Sequence, residues 1–228
     1  MKDILREEAR RLGLSLTEQQ LAQCERFSAA LLEKNKVMNL TAITEPEAVA
    51  RLHFADCLAL LKVEDFRGKR VIDVGCGAGF PGVPLKLGEP SIALTLLDSL
   101  QKRVNWLRET LDALSVPAVC VAARAEEYAH REEFDIAVSR AVARLNVLCE
   151  LCLPFVRVGG CFIAMKAAAA REELDEAKRA VSLLGGKVER VAPYAIGEAE
   201  HYAVVIRKVR ATPPAYPRRF SKIKQSPL

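Results

Sequence analysis

One stretch of the chain limits the possible folds more than any other: a short apolar segment that runs directly into three glycines at alternate positions. The segment is Arg70–Val74, and Gly75, Gly77 and Gly79 follow it, before Phe80. Glycine has no Cβ, so it permits positive φ and lets a ligand approach the backbone. In open α/β sheets, ligands bind beyond the carboxyl ends of the strands. The segment therefore predicts a strand that ends in a ligand-binding loop.

Apolar runs of strand length alternate with helix-like stretches after Gly68. This pattern predicts βαβ units and a mostly parallel sheet with helices on both faces. The strand candidates are Arg70–Val74, Ala93–Leu97, Ala118–Val121, Asp135–Val138 and Cys161–Met165, and the helix candidates between them include Gln101–Leu114 and Arg171–Leu184.

Two further strand candidates, Lys187–Ala192 and Tyr202–Lys208, have a glycine-containing loop and no helix between them, so they are predicted to pair antiparallel. The predicted fold class is α/β: a Rossmann-like, mostly parallel seven-stranded sheet that closes in an antiparallel hairpin. That is the layout of class I methyltransferases that use S-adenosylmethionine (SAM).

The first third of the chain is predicted to be helical. Thr17 and Gln20 have the spacing of a capping box, and the helix that they open is predicted to break at Asn35–Asn39. We expect three parts: an N-terminal helical region at residues 1–64, a methyltransferase domain at 65–210 and a basic tail at 211–228.

The glycine loop discriminates between ligands. In a nicotinamide fingerprint, G-x-G-x-x-G, the third glycine would stand at position 80, where this chain has Phe80, and no Lys-Ser/Thr pair of a phosphate loop is present. SAM has no phosphates. Asp73 is a candidate acceptor for its ammonium or ribose, and Asp98, which follows the second strand candidate, for the ribose hydroxyls. The alternative for Asp98 is a helix cap.

Charge and composition suggest the kind of partner. The net charge is +5, and no acidic residue follows Glu200. Such a one-sign end indicates either a polyanion contact or a solvated, disordered tail. No apolar run is long enough for a membrane span. The charged N-terminus and the seven unpatterned cysteines favour the cytoplasm, and the single C-x-x-C at Cys149 and Cys152 has too few ligands for a zinc site.

Taken together, the motifs resemble the RsmG (GidB) family of small-subunit ribosomal RNA guanine-N7 methyltransferases. The residues that carry the resemblance are Asn39-Leu40-Thr41, His53-Phe54-x-Asp56, Asp73 to Gly82, Asp98-Ser99-x-x-Lys102-Arg103, Arg124-Ala125-Glu126, Ser139-Arg140-Ala141, Lys166, Tyr216-Pro217-Arg218-Arg219 and Ser226-Pro227-Leu228. The chain departs from the family where Cys57 and Cys76 replace serine and where Phe220-Ser221 replaces Ala-Gly.

The resemblance implies that SAM is bound by Gly75, Phe80, Ala125, Glu126 and Arg140, and that the acceptor is a guanine N7 in the 530 loop of 16S rRNA. Guanine N7 has a free lone pair, so no general base is expected, and catalysis consists of positioning. Arg140 is the candidate positioning residue, with a structural salt bridge as the alternative. Predicted RNA contacts are Lys102, Arg103, Lys166, Arg218 and Arg219, each otherwise a solvated charge.

Three other functions stay open at this point. The chain could methylate another RNA, a protein or a small molecule, it could be a non-catalytic RNA-binding assembly factor, or it could be a nicotinamide enzyme. The expected partner is 16S rRNA or the small ribosomal subunit, no membrane contact or metal is expected, and the protein is expected to be a monomer.

Overall fold

The computed structural model describes residues 1–228, and its centre is one seven-stranded sheet. The strands are β1 Arg70–Val74, β2 Ala93–Asp98, β3 Val119–Ala122, β4 Phe134–Arg140, β5 Val156–Lys166, β6 Gly186–Ile196 and β7 Ala199–Lys208. Their order across the sheet is β3-β2-β1-β4-β5-β7-β6, with β7 antiparallel to both neighbours and all other pairs parallel. The predicted fold class is confirmed.

Nine α-helices surround the sheet. They are α1 Lys2–Arg11, α2 Glu18–Met38, α3 Pro46–Ala48, α4 Asp56–Leu58, α5 Gly82–Gly88, α6 Gln101–Ala113, α7 Leu145–Cys152, α8 Ala170–Leu183 and α9 Phe220–Gln225. A π-helical segment, Val49–Ala55, joins α3 to α4, and short 3₁₀ turns lie at Ala59–Lys62 and Leu153–Phe155. None of the helices combines the length and apolarity that a bilayer span requires.

The helix α2 begins and ends where the sequence pattern places its limits. The capping box of Thr17 and Gln20 is present, and the helix ends at Met38, within the predicted break at Asn35–Asn39. Asn39 caps it in the left-handed conformation at φ +49°. The Asn35 side chain bonds both the N–H and the C=O of Thr41, at 2.8 and 2.9 Å, and so stabilises the turn after the helix.

The two sides of the sheet bury separate cores, since neighbouring residues of a strand point to opposite faces. Val71 belongs to one core and Ile72 to the other. The core on the Val71 side also contains Leu5, Phe27 and Phe54 from the N-terminal helices. The helical region and the sheet therefore share apolar burial, and the division into parts at residues 64 and 210 stays a prediction.

The end of the chain docks on the body of the protein. Ile223 of α9 is fully buried, and Lys208 of β7 is fully buried, with its ammonium donating to the Leu153 carbonyl at 2.7 Å. Arg218 binds the fully buried carboxylate of Glu150 on α7. Several of the positive charges that suggested a free basic tail therefore have structural partners, and a solvated, disordered tail is not what the structure shows.

Candidate active site

A cavity of about 480 Å³ lies at the carboxyl ends of β1, β2, β3 and β4. β1 is the point where strand order reverses, because β2 and β3 lie on one side of it and β4 and β5 on the other. Ligands of open α/β sheets bind at such a point. The predicted cofactor residues that line the cavity are Gly75, Gly77, Phe80, Asp98, Ala125, Glu126 and Arg140.

Gly79 is the predicted cofactor residue that does not line this cavity. Its φ is +95°, and a Cβ there would lie 2.8 Å from Val83 and 2.9 Å from Leu107. Glycine at this position therefore serves the packing of the loop on the core. Gly75, at φ +73°, lies in the cavity wall, and a Cβ on it would meet Val142 at 2.6 Å.

Asp98 holds the glycine loop and also faces the cavity. One carboxylate oxygen accepts the Gly77 N–H at 2.9 Å, and the other accepts the Leu100 N–H at 2.8 Å. A carboxylate has about four acceptor positions. Both readings of the sequence thus coexist, because Asp98 stabilises the turn before α6 and keeps acceptor capacity toward the cavity.

Asp73 is not available to a cofactor, contrary to the sequence-based suggestion. It is fully buried beneath the loop, where Oδ2 accepts the Gly82 N–H at 2.7 Å and Oδ1 has no hydrogen-bond partner. Burial raises the pKa of this carboxyl to about 7. Asp73 therefore supports the start of α5 from below, where a strand residue next to the loop can reach the helix backbone.

Phe80 connects the cavity to the helical region. Its ring stacks on the His53 ring with centroids 4.5 Å apart, and packs edge-on against Phe27 and Phe54 at 6.0 and 5.7 Å. The Arg140 guanidinium carbon lies 5.1 Å from the centre of the Phe80 ring, within cation–π range. The Phe80 side chain thereby sets the position of both polar neighbours.

Arg140, at the end of β4, makes three hydrogen bonds to the segment Val49–Leu58. Its Nη1 donates to the Leu52 carbonyl at 2.9 Å and to Oδ2 of Asp56 at 3.0 Å, and Nη2 donates to Nδ1 of His53 at 3.0 Å. The structural salt bridge and the place in the cavity wall therefore occur together. Arg140 has further N–H groups beyond these three bonds.

The tautomer of His53 follows from its partners. A guanidinium only donates, so Nδ1 accepts, and Nε2 carries the proton that it donates to Oγ1 of Thr41 at 2.7 Å. Burial and the nearby Arg140 charge lower the pKa of His53 to about 4. His53 is thus neutral at physiological pH, and it links the Asn35-stabilised turn to Arg140.

Asp56 is the centre of this polar cluster, although sequence analysis named it only as part of a family motif. Its Oδ1 accepts from the Tyr194 hydroxyl and from His201 Nδ1, both at 2.9 Å. Burial alone would raise the pKa of Asp56, but the His201 hydrogen bond and the Arg140 charge outweigh burial and lower it. The Asp56 bond raises the pKa of His201.

Tyr194 and His201 were missed by sequence reasoning because each is an isolated residue far from the glycine loop. They lie directly opposite each other on β6 and β7. The signal that could have found them is the hairpin register: Gly197 and Glu198 form a two-residue turn between Ile196 and Ala199, so counting back places these two side chains on one face.

A second cavity of about 470 Å³ adjoins the first, with Arg140, Ala141 and Val142 lining both. Ala141 has φ +57°, unusual for a residue with a Cβ. Asp56, His201, Lys166 and Glu173 supply the polar lining of the second cavity. The segment after β4 therefore forms the wall between the two cavities.

The predicted RNA contacts fall into two groups. Lys102 and Arg219 are exposed, and Arg103 is partly exposed at the cavity rim. Lys166 and Arg218 are corrected to structural ion pairs, since Lys166 lies 2.7 Å from Glu173 and Arg218 lies 2.6 Å from Glu150. Sequence could not show these pairs because each partner lies on a different element, Glu173 on α8 and Glu150 on α7.

Three further side chains lie in the core, away from the cavity. Cys149 and Cys152 of α7 are buried there as free thiols. Trp106 is 5 % exposed and packs against Phe27 with ring centroids 5.9 Å apart, so it is a core residue.

Comparison with known proteins agrees with this geometry. A family model described as rRNA small subunit methyltransferase G matches residues 20–201. Proteins named ribosomal RNA small subunit methyltransferase G are similar over nearly the full length. The one from Alkaliphilus oremlandii is 44% identical over 100% of this chain and 99% of its own, and the one from Lachnoclostridium phytofermentans is 45% identical over 96% and 94%.

Solved structures support the fold. A SAM-dependent methyltransferase from Aquifex aeolicus has a TM-score of 0.56 at 16% identity, covering 77% of this chain and 97% of its own. The pyocyanin biosynthetic protein PhzM has a TM-score of 0.59 at 17% identity, covering 78% and 61%. At this identity the likeness concerns the fold, which is the class I methyltransferase arrangement.

Proposed function

The chain belongs to the rRNA small subunit methyltransferase G family, and we propose that it transfers a methyl group from SAM to N7 of one guanine in the 530 loop of 16S rRNA. The observation that carries the proposal is the cavity over β1, in which the glycine loop, Asp98 and Arg140 face one space. The expected partner is the small ribosomal subunit or its rRNA, and the expected site of action is the cytoplasm.

The cavity fits the donor on its own chemistry. The apolar side chains of its lining suit a purine, and polar side chains, among them Asp98, Glu126 and Arg140, suit the ribose and the amino-acid end. No atom lies within 4 Å of the Cβ position of Gly77, so this part of the loop leaves open space above the backbone. Asp98 retains acceptor positions for the ribose hydroxyls, and Ala125 and Glu126 border the far wall.

The acceptor base is proposed to enter through the second cavity. Arg140, Ala141 and Val142 are the shared wall, so a base placed there lies next to the donor cavity. Guanine carries O6 next to N7, so an Arg140 N–H can donate to O6 while the N7 lone pair stays free to attack the methyl group. Asp56 and His53 already orient the Arg140 guanidinium, so its remaining N–H groups point in a fixed direction.

The chemistry requires little from the protein beyond position. When bound, SAM supplies a methyl group on a positively charged sulfur. The guanine N7 lone pair needs no deprotonation, and the Asp56 carboxylate beside Arg140 is engaged by Arg140, Tyr194 and His201. The chain's residues therefore orient two reactants and exclude water, and orientation alone can supply roughly 7–11 kcal/mol.

The proposal is tested by incubating the purified protein with SAM labelled on the methyl group and with small ribosomal subunits that lack the modification. We expect label in 16S rRNA, and a strong loss with Arg140→Ala, while Arg67→Ala serves as a control because Arg67 lies near the amino end of β1 and pairs with Asp65. Donor binding without transfer to rRNA would indicate an assembly factor, and transfer to small metabolites would indicate another methyltransferase. Either result would refute the proposal.

A further inference from the structure

The last helix contributes a side chain to the donor cavity. Phe220, the first residue of α9, lines the cavity together with Leu151 of α7 and Arg124. It does so although it lies ninety-four residues beyond Glu126 in the chain. The Arg124 guanidinium carbon is 5.9 Å from the centre of the Phe220 ring. The aromatic ring is therefore part of the cavity wall.

Two anchors fix Phe220 in this place. On one side, Arg218 donates from its backbone N–H and its Nε to Oε1 of Glu150, both at 2.8 Å, and from Nη2 to Oε2 at 2.6 Å. On the other side, Ile223 is fully buried in the core that α7 and α8 share. Phe220 therefore lies between two residues, Arg218 and Ile223, that contact the body of the protein.

The sheet order shows which end of the cavity Phe220 occupies. Arg124 follows β3, on one side of β1, and Arg140 follows β4, on the other side. Phe220 beside Arg124 and Arg140 beside the second cavity therefore mark opposite ends. A donor whose reactive methyl lies near Arg140 extends its purine toward Phe220.

We propose that Phe220 contacts the adenine ring of the donor, and that α9 is a wall of the donor site rather than an RNA-binding tail. This inference rests on the proposed function. A purine offers an apolar face to an aromatic side chain, whereas the sulfonium and the amino-acid end of the donor need polar partners. Leu151 extends the apolar surface on the same side.

Calorimetric titration tests the inference without RNA. Wild-type protein, Phe220→Ala and the control Lys224→Ala, an exposed residue of the same helix, are titrated with SAM and with methylthioadenosine, which keeps the adenine and ribose but lacks the amino-acid end. We expect Phe220→Ala to weaken the binding of both ligands by a similar factor, roughly tenfold. Lys224→Ala should bind both ligands as wild type does.

Three outcomes separate the possibilities. If wild type binds no SAM, the proposed function itself fails. If wild type binds and Phe220→Ala matches it, Phe220 is not part of the donor site. If Phe220→Ala weakens the binding of SAM but not that of methylthioadenosine, the contact is with the amino-acid end, and the adenine assignment is wrong.

A second variant separates contact from anchoring. Phe220→Leu keeps an apolar side chain but removes the aromatic ring. We therefore expect α9 to resist trypsin at Lys222 and Lys224 as it does in wild type. The affinity for the donor should lie between those of wild type and Phe220→Ala. The proposal is overturned if Phe220→Ala makes these lysines cleavable in the free protein while Phe220→Leu binds donor like wild type. Phe220 would then only hold the helix in place.

Discussion

Arg140 and Asp56 form a buried ion pair that joins the end of the central strand β4 to the N-terminal helical region, with Nη1 3.0 Å from Oδ2. Their side chains are 17% and 5% exposed. The pair does not stand alone, because Asp56 also accepts from Tyr194 and His201 on the closing hairpin. One carboxylate therefore connects three parts of the chain at the wall between the two cavities.

Replacing Asp56 by alanine is predicted to destabilise the protein and to reduce methyl transfer. The change leaves the Arg140 charge buried and removes an acceptor from Tyr194 and His201, and breaking a buried pair costs about 3–5 kcal/mol. Urea unfolding measures the free energy of unfolding. Asp65→Ala is the matched control, since this exposed carboxylate pairs with Arg67 at the surface, and no measurable change is expected there. Equal stability of Asp56→Ala and wild type would contradict the account of the cluster.

Arg218 and its neighbour Arg219 are predicted to behave differently despite their identical chemistry. Arg218→Ala removes the guanidinium charge from the buried Glu150 carboxylate and leaves it the backbone N–H of residue 218, so it is expected to cost about 3–5 kcal/mol of unfolding free energy. Arg219 is exposed, so Arg219→Ala should leave the melting temperature unchanged. A stable Arg218→Ala protein with weakened RNA binding would restore the RNA-contact prediction for Arg218.

The buried carboxyl of Asp73 predicts a pH dependence of stability. Burial raises its pKa to about 7 from an ordinary value of 3.8, so between these values the folded state holds a proton that the unfolded state has lost. Stability from this group is present at acidic pH and is lost as pH rises toward 7, with a slope of at most about 1.4 kcal/mol per pH unit.

Asp73→Asn isolates this effect, because asparagine accepts the Gly82 N–H and does not ionise. Unfolding free energies are measured for both proteins from pH 4 to pH 8, and their difference removes the contributions of other groups. We expect wild type to lose stability relative to the variant from about pH 4 to about pH 7, and to change no further above that. A difference that is independent of pH would show that Asp73 is ionised in the folded protein.

The exposed cations at the cavity side predict a salt dependence of RNA binding. Each engaged lysine or arginine contributes about 0.7 to the slope of log K against log salt for single-stranded RNA. Lys102→Ala and Arg219→Ala are each expected to reduce the slope by about that amount. Arg67→Ala, far from this edge, should not change it. Slopes that stay equal to wild type for both variants would remove these residues from the RNA interface.

Local patterns predicted the frame of the site. The glycine loop follows a strand of the predicted bounds, Arg70–Val74, and Asp98 ends the next strand, so adjacent parallel pairing brings them together. The closing hairpin was visible because no helix-like stretch separates β6 from β7. These features depend on short-range periodicity and turn chemistry, which a single sequence carries.

What the sequence could not predict are contacts between distant parts of the chain. Asp73 and Asp98 are acidic residues near the ends of neighbouring strands. Asp73 nevertheless faces the core, and the loop conformation that buries it is not evident from the sequence. The partner of Arg218 is Glu150, a fully buried glutamate in the mostly apolar helix α7. Phe220 reaches the donor cavity only because α9 docks on α7.

Locating N7-methylguanine in small-subunit rRNA tests the proposed reaction, which methylates N7 of a single guanine. Small subunits are prepared from cells that lack the gene, incubated with SAM and the purified protein, and N7-methylguanine is located in the rRNA by cleavage at methylated positions. The account predicts one new modified guanine, in the 530 loop of 16S rRNA, which appears with wild-type protein and is strongly reduced with Arg140→Ala. Absence of N7-methylguanine, or methylation at another atom or another position, would contradict it.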